Sequence, residues 1–372
     1  MIRAAVIGLG LWAGAADAES ETAAAAQAAA ERLAAASVLL EQAAGSDDQI
    51  AALTETVRAY EDGLGAMRDG LRRVAIRQTA IEAELAARSD EVSDLLGVLL
   101  TMGRAPAPLL LLHPSGPLGT ARSGMILSEV TPALQVRVDA LRADLAEVAE
   151  LRAVQDGATR TLQEGLDGAQ AARAALAQAV SDRTDLPRRF TEDAVATALL
   201  IASTETLDAF ANGLAETVSA NTGAQPDATA QRGGLALPVL GQILRRAGEA
   251  DAAGIIRPGW VIATRPSALV TAPVAATIRY RGPLLDYGIV IILEPATNVL
   301  IVIAGLADAF GEAGQVVPAG APIGIMGGEL PAVDAILTES AAGVRPPRSE
   351  TLYLEVRDGQ GPVDPATWFA AE

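Results

Sequence analysis

The side chains that most often carry chemistry are nearly absent from this 372-residue chain, which has one histidine, His113, and no cysteine. A Ser-His-Asp arrangement needs an imidazole beside its serine, and none lies C-terminal to His113. Catalytic zinc takes three protein ligands, mostly imidazole, thiolate or carboxylate, and keeps one position open for water. Here such a site would rest on carboxylates and other oxygen donors, a poor match to catalytic zinc; a cation held loosely by acidic side chains is the alternative. His113 itself sits among prolines, where a turn or capping role suits it. Acids are abundant, 46 in all. Yet Glu294, Glu312, Asp334, Glu339 and Glu355 show no spacing that singles out a glycosidase pair. All 28 basic residues are arginine, so a phosphate-cradling G-x-x-x-x-G-K-[ST] loop is excluded. No cofactor and no metal is expected.

What remains is chemistry of recognition. Tyr287, Tyr353 and Arg357 are of the types enriched at binding hot spots. Their plainer roles are a strand cap for Tyr287 and pairing with Glu355 or another acid for Arg357. Trp260 is equally suited to a core or a contact. The formal charge of −18 repels nucleic acid and anionic lipid, and no basic cluster offsets it. Aromatics make up only 3% of the chain, which points to much extended helix.

The elements that must position these residues begin with a leader. Met1-Ile2-Arg3, the apolar run Ala4 to Ala16 and the A-x-A pattern Ala16-Asp17-Ala18 predict a signal peptide over 1–18. From Ile50 a heptad follows through Leu53, Val57, Tyr60, Leu64, Met67, Leu71, Val74, Ile81, Leu85, Val92, Leu95 and Leu99, broken by Gln78 and Arg88. Steps of three and four keep one narrow seam toward a partner helix over about seven heptads. A second series runs from Leu134 to Val180 with a polar middle at Arg152, Gln155 and Thr159. Between the two series, closely spaced prolines near 104–117 forbid a continuous helix. The expectation is an antiparallel coiled-coil hairpin over 19–186, with a parallel homodimer as the competing arrangement. Residues 187–234 then hold an amphipathic segment, Phe190 to Val218, with Leu200, Leu207, Phe210, Leu214 and Val218 on one face. A polar linker follows, from Ser219 to Gly234. Residues 235–372 change to short β-rich runs between Gly and Pro breaks: 261–264, 276–280, 288–293, 299–304, 322–326 and 351–357. The fold class expected is α+β as separate domains, a helical hairpin followed by an all-β domain.

Within that β region, Thr271-Ala272-Pro273, Asp286-Tyr287-Gly288-Ile289-Val290-Ile291-Ile292, Val317-Pro318-Ala319-Gly320-Ala321-Pro322-Ile323-Gly324 and Leu352-Tyr353-Leu354-Glu355-Val356-Arg357 resemble, in order and spacing, the core of LytM-type (M23) zinc endopeptidases, a duplicated hybrid motif fold. The resemblance implies zinc ligands from an H-x-x-x-D element and a closing H-x-H pair. Arg257 and Val261 stand at the first, Thr351 and Tyr353 at the second, and the auxiliary histidine near Gly305 is also missing.

Leader, coiled coil, linker and metal-less LytM region together resemble EnvC-type murein hydrolase activators. That resemblance implies a non-catalytic periplasmic protein acting on peptidoglycan cleavage at the division septum. Its groove would bind an N-acetylmuramoyl-L-alanine amidase through Tyr287, Val290, Ile303, Tyr353 and Arg357. Its coiled coil would be recruited by the FtsE–FtsX complex of the inner membrane. A helical segment such as Phe190 to Val218 would cover the groove. The acidic stretch Gly328 to Ser349, longer than in active enzymes, would meet a partner or cover the groove. A peptidoglycan-binding envelope scaffold is the alternative, and a conventional zinc metalloendopeptidase the remote one.

Overall fold

A computed structural model describes residues 13–43, 48–90, 93, 97, 116–183, 186–190, 193–217, 229–342, 350–359 and 361–370. The start of the expected leader, His113, most of the proline-rich break, Val92, Leu95, Leu99, Val218, most of the expected linker and residues 343–349 lie outside them. The described residues fall into two compact units, one within 1–31, 65–162 and 333–345, the other within 32–64, 163–332 and 346–372.

Three long helices contribute to both: α1 (Ala13–Ala43), α2 (Gln49–Ala87) and α3 (Gly116–Asp182). In the first unit Ala26 of α1, Val74 and Ile81 of α2, and Val148 and Leu151 of α3 form one buried cluster. A bidentate Arg77–Glu147 pair (Nε to Oε1 2.5 Å, Nη2 to Oε2 2.9 Å) ties α2 to α3 beside it. Along α2 the expected seam is buried from Leu53 to Val74 and again at Ile81. Along α3 the register differs from the expected series. Arg152 and Thr159 are exposed, and Leu151 and Ala158 are buried one position earlier. The small and apolar side chains take the seam, because burying a guanidinium or a hydroxyl without a partner is costly.

The third helix is a further difference. α1 buries Ala26, Ala29, Leu33, Ala36 and Ala43, a heptad written mostly in alanine. It comes close enough to α2 that a Cβ at Gly63 would stand 2.7 Å from Leu33. In the second unit Leu64 lies against Gly165, and Tyr60 against Gly168, so numbers rise along α2 as they fall along α3. The two helices run antiparallel there.

The rest of the second unit is built on an antiparallel sheet. Its strands are β1 (Gly241–Arg245), β2 (Trp260–Thr264), β3 (Leu269–Thr271), β4 (Ala276–Pro283), β5 (Ile289–Ala296), β6 (Val299–Ala309), β7 (Val316–Val317), β8 (Pro322–Met326), β9 (Glu350–Asp358) and β10 (Gly361–Val363). The main order is β1-β2-β9-β6-β5-β4-β7, with β10 on β9, and β8 joining β3 to β6. All six sequence-read runs are strands, and the β5–β6 hairpin turns at Asn298, where φ is 64°. Side chains alternate across a strand, and each central strand feeds two cores. Leu352, Leu354 and Val356 of β9 join Trp260, Ile262, Ile291, Ile301, Trp368 and Phe369 on one face. Tyr353 joins Val290, Ile292, Leu300, Val302 and Ala304 on the other.

Two short helices follow α3, α4 (Ala194–Ser203) and α5 (Leu207–Thr217), where one amphipathic segment was expected. The Asp193 carboxylate caps α4, accepting from Val195 and Ala196 N–H at 3.1 Å each. Within the stretch expected to be all β, residues Val333–Ala341 form a helix, α6, with Val333 and Ile336 buried.

A buried carboxylate joins helix and sheet inside the second unit. Glu61 of α2 accepts from Arg173 of α3 (2.9 Å) and from the Leu269 N–H at the start of β3 (2.8 Å). Arg58 donates to Thr271 Oγ1 at 2.6 Å, and Arg265 donates to the Glu61 carbonyl. Burial pushes the Glu61 carboxyl above its ordinary range, against the pull of Arg173.

Candidate functional site

The polar ladder of β9 is the centre of the candidate site. Tyr353, Glu355 and Arg357 are two apart, share a face and are all buried. The Tyr353 hydroxyl donates to Glu355 Oε2 at 2.6 Å and accepts from the Gly259 N–H at 3.1 Å. Position 259 must be glycine for this. A Cβ there would sit 2.7 Å from the Tyr353 ring and against the Leu354 carbonyl. Burial, and next the neighbouring Glu355 charge, drive the phenol pKa well above its ordinary value. Arg357 completes the ladder with a 2.8 Å bond from Nη1 to Glu355 Oε1.

Tyr353 is flanked across the sheet by Val261 of β2 and Ala304 of β6. Tyr287, at the end of a 3-10 turn (Leu285–Tyr287), places its ring 6.0 Å from that of Tyr353. The exposed Arg257 guanidinium stands 5.9 Å over the Tyr287 ring. The structure therefore brings together Arg257, Val261, Tyr287, Val290 and Tyr353, with Arg357 further along β9. Thr351 is exposed on the Tyr353 face of the same strand.

Ile303 does not belong there. It is fully buried in the opposite core with Leu354 and Val356, and its neighbours Val302 and Ala304 face the groove. Strand parity is the reason, since one step along β6 exchanges the two faces. Trp260 is likewise a core residue, packed against Phe369 at 6.3 Å.

Zinc does not fit the four positions at which the resemblance implies ligands and catalysis. A guanidinium, an isopropyl group, a threonine hydroxyl and a neutral phenol already bonded to Glu355 offer no imidazole or free carboxylate. Among the described residues no group of three His, Cys, Asp or Glu side chains is placed to hold a metal.

What fills the groove face is α5. Leu207, Phe210 and Leu214, at i, i+3 and i+7, are buried on Tyr280, Leu284, Val290, Ile292, Leu300 and Val302. The Phe210 ring meets Tyr280 edge-on at 4.8 Å. Asp208 accepts from Arg357 Nη1 at 2.7 Å, and Asn212, one turn on, accepts from Arg357 Nη2. At the other end Arg279 Nη2 donates to the Leu214 carbonyl at 2.9 Å, while its Nη1 donates to Glu294 at 3.2 Å. Burial pushes the Arg279 pKa down to about 10, with Glu294 opposing. Two buried arginines therefore hold α5, each with an internal carboxylate partner, Glu355 or Glu294.

Sequence reasoning named Leu207, Phe210 and Leu214 but missed Asp208 and Asn212. A carboxylate and an amide four apart beside an apolar helix face were the available signal. Glu294 was weighed only as one of a glycosidase pair, and Glu355 in that way and as a partner for Arg357. Their place within strongly apolar strands marked them as buried and paired.

No protein-family model matches the chain, and no curated protein does. Among solved structures, the chain is similar to Helicobacter pylori Csd3, at 19% identity over 37% of this chain and 35% of that one, with a TM-score of 0.28. It is similar to a putative peptidase M23 from Pseudomonas aeruginosa at 20% identity, covering 37% and 51%, with a TM-score of 0.28. It is also similar to a zinc-containing peptidase from Vibrio cholerae at 17% identity, covering 40% of each, with a TM-score of 0.27. The alignments span only part of each neighbour, and likenesses of this size say nothing of chemistry.

Proposed function

We propose that this chain is a non-catalytic regulator of peptidoglycan cleavage in the cell envelope, whose β unit grips a zinc amidase instead of holding zinc. The observation that carries the reading is the groove face itself. Its apolar floor and its buried Arg357 are engaged by a helix of the same chain, as a protein-binding surface is. The order of the LytM-like motifs, with Arg257, Val261, Thr351 and Tyr353 at the ligand and catalytic positions, supports the loss of hydrolytic chemistry. In this reading α5 is a lid, and the chain is quiescent until the lid leaves.

The remaining parts of the proposal follow from the EnvC-like resemblance. They are a cleaved leader, a periplasmic and septal location, a coiled-coil hairpin built on α2 and α3, and recruitment by an FtsE–FtsX-type complex. That a helix of the same chain docks on this face supports a protein over peptidoglycan itself as the ligand.

The test is reconstitution. Purified chain should leave peptidoglycan intact, and should accelerate its cognate N-acetylmuramoyl-L-alanine amidase when residues 185–230, which span α4 and α5, are deleted. Absence of acceleration by the deletion variant, with the amidase active on its own, defeats the reading. Cleavage of peptidoglycan by the chain alone does so as well.

A further inference from the structure

Residues 186–190, which lie between α3 and the lid in the sequence, cross the β unit as a short strap. Leu186 packs against the main core, and Arg188 forms an antiparallel bridge with Gln315 beside β7. The Arg189 N–H donates to the Gly314 carbonyl at 2.8 Å, and the Val316 N–H donates to Pro187 at 2.9 Å. Gly314 has a φ of 89°, and any Cβ at this position would collide with the Phe190 carbonyl. The glycine is thus a notch in which the strap is seated.

The strap's side chains reach the lid's anchor. Arg189 Nη1 donates to Thr277 Oγ1 at 3.2 Å and lies 3.4 Å from Glu294 Oε2. That oxygen is also the one bonded by Arg279, the arginine that holds the Leu214 carbonyl of α5. The Phe190 ring lies 5.4 Å from the Arg279 guanidinium, on the side of the strap. Both arginine side chains and the carboxylate are about nine-tenths buried or more. One carboxylate therefore serves two buried cations, one from the strap and one from beneath the lid. The two like charges oppose each other and the shared carboxylate offsets that opposition, so the position of one guanidinium depends on that of the other.

We infer that Leu186–Phe190 is a coupling strap, seated in the Gly314 notch, and that Glu294, shared by Arg189 and Arg279, makes lid docking depend on strap docking. Lifting the strap removes Arg189 and the Phe190 ring from around Arg279. The anchor of the lid's C-terminal carbonyl then loses the surroundings that fix its position. This inference rests on the reading of α5 as a lid, and it supplies a route by which displacement of α3 reaches the groove.

The experiment is amide hydrogen exchange on the full chain without any partner, so it is independent of whether an amidase is activated. Arg189→Ala removes a charge-assisted contact. It is expected to lower protection of the amides in Leu207–Thr217 by about ten- to a hundredfold, with β5 and β6 unchanged within about twofold. Gly314→Ala, which lifts the strap by steric conflict and not by charge, is expected to give the same pattern. Arg188→Ala, which removes only an exposed pair with Glu312, is expected to leave the lid as it was. Unchanged lid protection in either of the first two variants overturns the inference. So does a loss spread evenly over α5, β5 and β6, which marks a general loss of stability. If these results hold while the amidase assay fails, the strap stands and the activator reading falls.

Discussion

Phe210→Ala separates a docked lid from an ordinary piece of core. The side chain is fully buried, edge-on to Tyr280, among residues of the groove face. Truncating such a phenylalanine costs about 3–5 kcal/mol, through lost transfer energy and the cavity left behind. If α5 docks as a unit on an already folded sheet, the whole cost falls on docking. The ratio of docked to undocked lid then drops by about two to three and a half powers of ten, at about 1.4 kcal/mol per tenfold change. Amide exchange reads this directly. Protection over Leu207–Thr217 should collapse by that factor, while β5, β6 and β9 keep theirs, because the core of Ile291, Ile301, Leu354 and Trp368 lies on the other face. With a cognate amidase, the same variant should activate without further signal. Equal loss of protection in α5 and the strands would show that Phe210 is part of the unit's cooperative core. α5 would then be no lid, whatever the amidase did.

Three further outcomes follow from the same geometry. Arg357→Ala leaves the Glu355 carboxylate, 3% exposed, without its cation, which should cost about 3–5 kcal/mol. For a unit of this size that lowers the melting midpoint by roughly 6–20 °C, and a change within error would contradict the ladder; Arg357→Lys should rescue only part, lacking the guanidinium fork. For Glu61, burial raises the folded-state pKa above the unfolded one. Its contribution is therefore complete below the unfolded value and lost as pH rises through the folded one. Glu61→Gln removes that dependence, so melting midpoints should move in the variant's favour as pH rises above the ordinary glutamate range, and a constant offset from wild type would argue against it. Finally, zinc added to the purified chain should leave its melting midpoint unchanged, with no stoichiometric metal by elemental analysis; a bound equivalent of zinc would overturn the reading of Arg257, Val261, Thr351 and Tyr353.

How far the fold could be read from sequence depended on how much contrast each segment carried. The β strands were legible because Ile289–Leu293 and Val299–Ala304 are runs of branched residues set between Gly, Pro and Asn. The α2 seam was legible because leucine, valine and methionine stand out at heptad spacing. The seam of α1 was not, since alanine at the seam and alanine elsewhere look alike. Continuous apolar runs also hide parity. Within Leu300–Ala304 every residue is apolar, so nothing local says that Val302 and Ala304 face the groove and Ile303 the core. Tyr287, Tyr353 and Arg357 could be named because their side-chain types suit recognition, whereas Val290, like Ile303, came only from the EnvC-like resemblance. Asp208, Asn212 and Glu294 matter through partners distant in the chain, and the strap depends on Gly314, a glycine among many.

The Tyr353–Glu355–Arg357 ladder sets the character of whatever docks beside it. The guanidinium already bonds to a carboxylate two residues away on its own strand, so an incoming acid meets a largely compensated charge. Attraction at a distance is correspondingly faint, and added salt has little left to screen. Selection then rests on where an acceptor is held, and a neutral amide can serve there, as that of Asn212 does beside the Asp208 carboxylate. Interlopers that are merely anionic gain no advantage, and ligands are distinguished by fit.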